Sequence, residues 1–147
     1  MQLNYLNKPH FENGAIKNIS QVLEEHGIKN PLICTDPGLA SIGMSDMIRN
    51  LLSNELSPSF YEDTPANPTE QAVNDALEIY KQNNCDGVIG FGGGSSMDLA
   101  KTVALMANHE GNVVDYSVNE GGVGKINQTM PMIAIPTTSG TGSEVSL

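Results

Sequence analysis

Gly87-Val88-Ile89-Gly90-Phe91-Gly92-Gly93-Gly94-Ser95 is the stretch that decides the fold. An apolar run of strand type leads straight into a glycine cluster, and residues 95–107 behind it place Leu99, Val103 and Met106 at helical spacing. Only glycine lets the backbone approach a ligand closely and take positive φ at successive positions. The helix start that follows offers free N–H groups and the positive end of its dipole. Together they predict a phosphate cradle between a strand and a helix. The familiar variants fail on spacing. G-x-G-x-x-G would need glycine where Ser95 stands, and a P-loop would need Lys with Ser or Thr where Ser95 and Ser96 follow. No G-x-S-x-G elbow is present.

Outward from this unit the pattern repeats. Pro31 to Thr35 is a short apolar run closed by Asp36-Pro37-Gly38, a strand and a turn, and residues 39–52 read as one helix with Ile42, Met47 and Ile48 recurring. Before them, Ile16, Ile19, Val22, Leu23 and His26 share a helical face that stops at Gly27. Ser59-Phe60-Tyr61 is a short extended piece. Asn67 is expected to cap the next helix, with Pro68 at its first position and Glu70 completing a capping box. Ala72, Val73, Ala76, Leu77 and Tyr80 line that helix's inner face. Residues 108–130 are polar and irregular, and Met132 to Ile135 is a further strand running into Pro136 and Thr137. Strands alternating with helices of this length imply βαβ units and a parallel sheet covered on both faces: an α/β, Rossmann-like fold.

Composition narrows the function. A chain of 147 residues is the size of one domain, read here as a single α/β unit over 1–147. Seven Lys and Arg against seventeen Asp and Glu give a net charge of −10, which argues against nucleic-acid or anionic-membrane partners. Phosphate binding survives that balance, because backbone N–H groups need no lysine. Cys34 and Cys85 are too few and too far apart for a disulfide framework or a zinc site and read as reduced thiols. The N-terminus has no signal-peptide pattern and no run approaches the ~20 apolar residues of a membrane span, so the expected location is the cytoplasm. His10, His26 and His109 lie in three segments without acidic or cysteine neighbours at ligand spacing, so no metal site is expected within this chain.

Two carboxylates have competing readings. Asp36 follows a strand's carboxyl end, where α/β sheets bind ligands, and would equally serve as an Asx turn before Pro37. Asp98 is either the partner of Ser95 in a capping box or a group beside bound substrate, with Lys101 on the same helix face as its ion-pair partner. Asp115 stands at the distance past the glycines expected of a ribose-binding acid, but follows no clear strand and is set aside.

Four pieces taken in order carry a family resemblance: Thr35-Asp36-Pro37-Gly38-Leu39, Pro65-Ala66-Asn67-Pro68-Thr69, the run from Phe91 to Lys101, and the run from Ile135 to Val145. The chain resembles, over essentially its whole length, the amino-terminal domain of the iron-containing (group III) alcohol dehydrogenases. That family has a dehydroquinate synthase-like fold. Its second glycine motif usually has Pro where this chain has Ser96, which should loosen the helix start without removing the phosphate site. The resemblance implies that Asp36 binds the adenosine ribose hydroxyls and repels a 2′-phosphate, favouring NAD over NADP. It implies that Gly93, Gly94 and Ser95 hold the pyrophosphate. Asn67 would face the cofactor, Thr137, Thr138 and Thr141 would line its adenine and phosphate side with Ser146 close by, and Asp98 would sit near the nicotinamide.

The family's metal, iron or zinc, is held by one aspartate and three histidines of a helical carboxyl-terminal domain that these residues do not include. There it would polarise the alcohol oxygen. The implied activity is NAD-dependent, metal-assisted interconversion of a small alcohol and its aldehyde or ketone. Alternatives are a nucleotide-binding fragment without turnover and a dehydroquinate synthase-like lyase. An open sheet edge near the N-terminus would allow a homo-oligomer.

Overall fold

A computed structural model describes residues 7–117, 119 and 121–145. Its centre is a four-stranded, wholly parallel sheet in the order β2-β1-β3-β4, with β1 Pro31–Cys34, β2 Ser59–Tyr61, β3 Gly87–Gly92 and β4 Met132–Pro136. β3 is buried along its whole length, as its glycine-spaced apolar run requires of a central strand. The helices are α1 Ile19–Glu25, α2 Pro37–Ser41, α3 Met44–Leu51, α4 Glu70–Gln82 and α5 Gly94–Met106.

Strand alternation divides the core between two faces. Leu32 and Cys34 of β1 and Val88 of β3 pack with α4 and α5 through Ala72, Val73, Ala76, Leu77, Leu99, Ala100 and Val103. Ile33, Ile89 and Phe91 point the other way, onto Ile19 and Leu23 of α1 and Ile48 of α3. Each of the larger of these side chains, Val, Leu, Ile or Phe, stabilises the fold by about 1.5–3 kcal/mol through its burial. The chain therefore leaves β1 towards the α3 face and leaves β3 towards the α5 face. Where neighbouring strands send their connections to opposite faces, a crevice opens at their carboxyl ends. That places Thr35–Asp36 opposite Gly92–Gly94.

Several boundaries differ from expectation. The first helix opens with a 3-10 turn at Ala15–Asn18, and His26 lies exposed at its C-cap rather than on the inner face. The single helix expected over 39–52 is two, broken at Gly43 with φ 81°, a left-handed turn that leaves Ile42 72% exposed. Thr69, not Asn67, caps α4, its hydroxyl accepting from the Ala72 N–H at 3.1 Å. Pro68 precedes the helix instead of opening it. α5 starts at Gly94 with Gly93 as its cap, so Ser95 lies inside the first turn and the Ser95–Asp98 capping box does not form. β4, expected as a strand, forms one, half-exposed on the sheet edge. Asp115 caps a 3-10 turn, accepting from the Asn112 N–H at 2.9 Å.

Candidate nucleotide-binding cleft

A cavity of about 320 Å³ occupies the crevice between β1 and β3 and is lined by Asp36, Pro37, Thr64, Pro65, Ala66, Gly93, Ser95 and Ser96. Among the described residues lining it, Asp36 is the charged one. One carboxylate oxygen, Oδ1, accepts from the Leu39 N–H at 3.0 Å and so caps α2. The other, Oδ2, lies 3.3 Å from the point that a Cβ on Gly92 would occupy. The turn reading of Asp36 is therefore realised through Oδ1 alone.

The glycine loop is tightest at Gly92, closely packed at Gly94 and in ordinary contact at Gly93. Gly92 has φ 151°, and a Cβ there would stand 2.6 Å from Ser96 Oγ, so both conformation and space demand glycine. A Cβ on Gly93 would meet Thr138 Oγ1 at 3.4 Å, and one on Gly94 would meet Ser143 Oγ at 3.1 Å and Thr141 Cβ at 3.3 Å. Thr137 joins the same loop through its N–H, which donates to the Gly92 carbonyl at 2.9 Å. The fold thus brings Gly93, Gly94, Thr137, Thr138 and Thr141 together beside the first turn of α5. Amides of a first helical turn have no acceptor within the helix, and with no basic side chain lining the cavity they are its source of positive potential.

Ser95 and Asn67 are linked indirectly. The Ser95 hydroxyl donates to the Ala66 carbonyl, tying the loop before α4 to the start of α5. Asn67, released from capping, is exposed at the next position. Asp98 does not line the cavity that holds Asp36. It opens on a second, larger cavity of about 550 Å³ with Lys101, Thr102, Leu105, Ile126, Met130 and Met132 among its walls. Its backbone carbonyl accepts from the Thr102 hydroxyl at 2.9 Å. Ser146 lies outside the described residues. Among the described residues no group of three or more His, Cys, Asp or Glu side chains could hold a metal ion, and no helix is long and apolar enough to cross a membrane.

Three hydroxyls around the first cavity escaped the reading of the sequence. Thr35 is fully buried, Thr64 is 2% exposed and Ser96 1%, and none of their oxygens has a hydrogen-bond partner. Thr35 and Thr64 follow the carboxyl ends of β1 and β2, and Ser96 lies in the first turn of α5 behind β3; that placement was the available signal. Two buried thiols and a phenol lie in the core beneath. Burial pushes the Cys34 and Cys85 thiols above their ordinary range, and it pushes the Tyr80 hydroxyl up to about 12.

An open parallel α/β sheet with a ligand cleft at its switch point is the class that this fold and site define. The chain belongs to the iron-containing alcohol dehydrogenase family, whose profile matches residues 7–147. It is 41% identical over 143 residues to a 4-hydroxybutyrate dehydrogenase of Cupriavidus necator, covering 97% of this chain and 37% of that enzyme. A crystal structure of sulfoacetaldehyde reductase from Bifidobacterium kashiwanohense in complex with NAD+ superposes with a TM-score of 0.79 at 30% identity, covering 90% of this chain and 35% of that one. A 1,3-propanediol oxidoreductase structure gives a TM-score of 0.84 at 28% identity over 99% of this chain and 38% of its own. The chain therefore spans little more than a third of the length of these relatives.

Proposed function

We propose that residues 1–147 form the nucleotide-binding domain of a two-domain, NAD-dependent oxidoreductase that interconverts a small alcohol and its aldehyde or ketone. The observation that carries this reading is the cleft itself. A carboxylate with one uncommitted oxygen faces a glycine-lined helix start in which an added Cβ would collide with Ser96 or press on Thr141 and Ser143. Asp36 Oδ2 accepts from the adenosine ribose hydroxyls and repels a 2′-phosphate, which selects NAD. The amides of Gly93, Gly94 and Ser95 hold the pyrophosphate, with Thr137, Thr138 and Thr141 closing over it and Asn67 and Ser146 at the margin. Asp98 contributes on the nicotinamide side, one turn further along α5. The nicotinamide, when bound, takes up or delivers a hydride.

Among the described residues no group of three or more His, Cys, Asp or Glu side chains could hold a metal ion, and the role proposed for them is cofactor binding. An iron or zinc ion would need ligands from elsewhere in the protein. The relative that reduces sulfoacetaldehyde, solved with NAD+, and the dehydrogenase acting on 4-hydroxybutyrate support a small polar carbonyl or alcohol as substrate. A cytoplasmic location belongs to the same proposal. So does a homo-oligomer, since β2 and β4 each have one edge without a strand partner among the described residues.

Titration with NADH, followed by its fluorescence, tests the cleft. Saturable binding is expected, and no binding by a folded sample would remove the reading. Asp36→Gly should raise affinity for NADP relative to NAD by an order of magnitude or more, because it removes a charge facing the 2′-phosphate. An unchanged preference would reduce Asp36 to a helix cap.

A further inference from the structure

We infer that Ser96 is a cofactor-binding residue: its hydroxyl, buried and unpartnered in the free protein, turns onto the adenosine ribose when the dinucleotide binds. This rests on the nucleotide-binding reading of the cleft and adds a residue to it. Four observations converge on Ser96. It is 1% exposed and its Oγ has no hydrogen-bond partner, an arrangement that costs free energy unless some state of the protein relieves it. It lines the cavity that Asp36 lines. Its Oγ and Asp36 Oδ2 lie 2.6 Å and 3.3 Å from one point, the place of an absent Cβ on Gly92, so both oxygens lie beside the same glycine. It sits in the first turn of α5, a helix of 13 residues, where the backbone already turns its donors outward.

The chemistry selects the sugar. An anion in the cavity beside Asp36 would face its carboxylate at close range, whereas a ribose hydroxyl there can donate to that carboxylate and accept from the Ser96 O–H in one arrangement. Serine can make the move because its single γ-oxygen needs only a rotation about Cα–Cβ to reach the cavity wall. Thr64, the other unpartnered hydroxyl lining the cavity, is β-branched and stiff about that bond, and its N–H is committed to the Thr35 carbonyl at 3.2 Å. Proline at position 96 would supply no hydroxyl, so this contact is a property of the serine.

Ser96→Ala in the full chain tests this, with two readouts of opposite sense. Thermal unfolding without cofactor should be unchanged or shifted upward, because an unsatisfied hydroxyl has been removed. Affinity for NADH, and for ADP-ribose, which carries the same adenosine ribose without nicotinamide, should fall about tenfold, the worth of one hydrogen bond to a ligand. Ser96→Thr, which restores a hydroxyl, should recover part of the loss. Wild-type binding of both ligands by Ser96→Ala would overturn the inference while leaving the cleft intact. A lowered melting temperature with unchanged affinity would overturn it too, making Ser96 a packing residue. Failure of the unmodified chain to bind NADH or ADP-ribose would remove the cleft reading and this inference together.

Discussion

The two cavities that α5 helps to wall are built from opposite materials. At its first turn, Asp36, Thr64, Ser95 and Ser96 give a polar cleft whose positive character comes from backbone amides. Further along α5, Leu105, Ile126, Met130 and Met132 give a larger, mostly apolar hollow with Asp98 and Lys101 at its margin. The first arises where three strand ends and a glycine loop meet at the switch point, so its geometry is set by the rigid sheet. The second arises between a helix flank and the irregular segment before β4, so its shape is set by side chains. Recognition of a sugar phosphate needs fixed donors and acceptors, and a flat or variable group needs only an adaptable apolar wall. One helix thus presents both kinds of surface.

The largest effect should come from attacking the rigid cleft. Gly92→Ala forces a Cβ to within 2.6 Å of Ser96 Oγ on a residue at φ 151°, and should cost about 2–5 kcal/mol in denaturant unfolding while abolishing NADH binding. Retained binding would mean that the loop is far softer than its contacts suggest. Met132→Ala in the adaptable hollow should behave differently. Met132 is half-buried, so roughly 1–2 kcal/mol of stability should go, with ADP-ribose affinity unchanged. Equal loss of ADP-ribose binding would show that the cavities are one site. Asp98→Asn is subtler still. It should leave stability and ADP-ribose binding alone while altering NADH binding a few-fold, and identical changes for both ligands would remove Asp98 from the nicotinamide side.

The smallest effect per step is that of pH, and it bears on the core beneath both cavities. Cys34, Cys85 and Tyr80 have raised pKa values, chiefly from burial. The unfolded chain therefore loses these protons first as pH rises. Their contribution to stability is complete below the ordinary thiol value of 9.0 and drains away above it, towards the Tyr80 value of about 12. Melting temperature should hold constant through neutral pH and decline beyond pH 9. A thiol reagent should react with Cys34 and Cys85 only after unfolding.

The sequence made the sheet legible because strand cores depend on local apolar runs. Pro31 to Thr35, Ser59 to Tyr61 and Met132 to Ile135 each lie within a residue or so of the observed strands. Helix starts were less legible. Asn67 and Thr69 are both good caps in isolation, and the choice between them depends on the loop that Ser95 ties down at the Ala66 carbonyl, 29 residues away. α5 begins at Gly94 because the glycines can enter the helix while hugging β3, something a propensity scale counts against them. In the site, Asp36 and the glycine and threonine runs were visible as motifs. Thr64 and Ser96 were not, since an unpartnered hydroxyl exists only once the elements around it have packed.

β4 has a consequence for handling the protein. It bonds to β3 along one side, its other edge carries backbone donors and acceptors with no strand partner among the described residues, and Met132, Ile133 and Ile135 are half-exposed. Such an edge is a template for strands from other molecules. What opposes self-association in this chain is long-range repulsion from its net charge of −10. Added salt, which shortens the Debye length, should therefore lower the solubility of this chain instead of raising it.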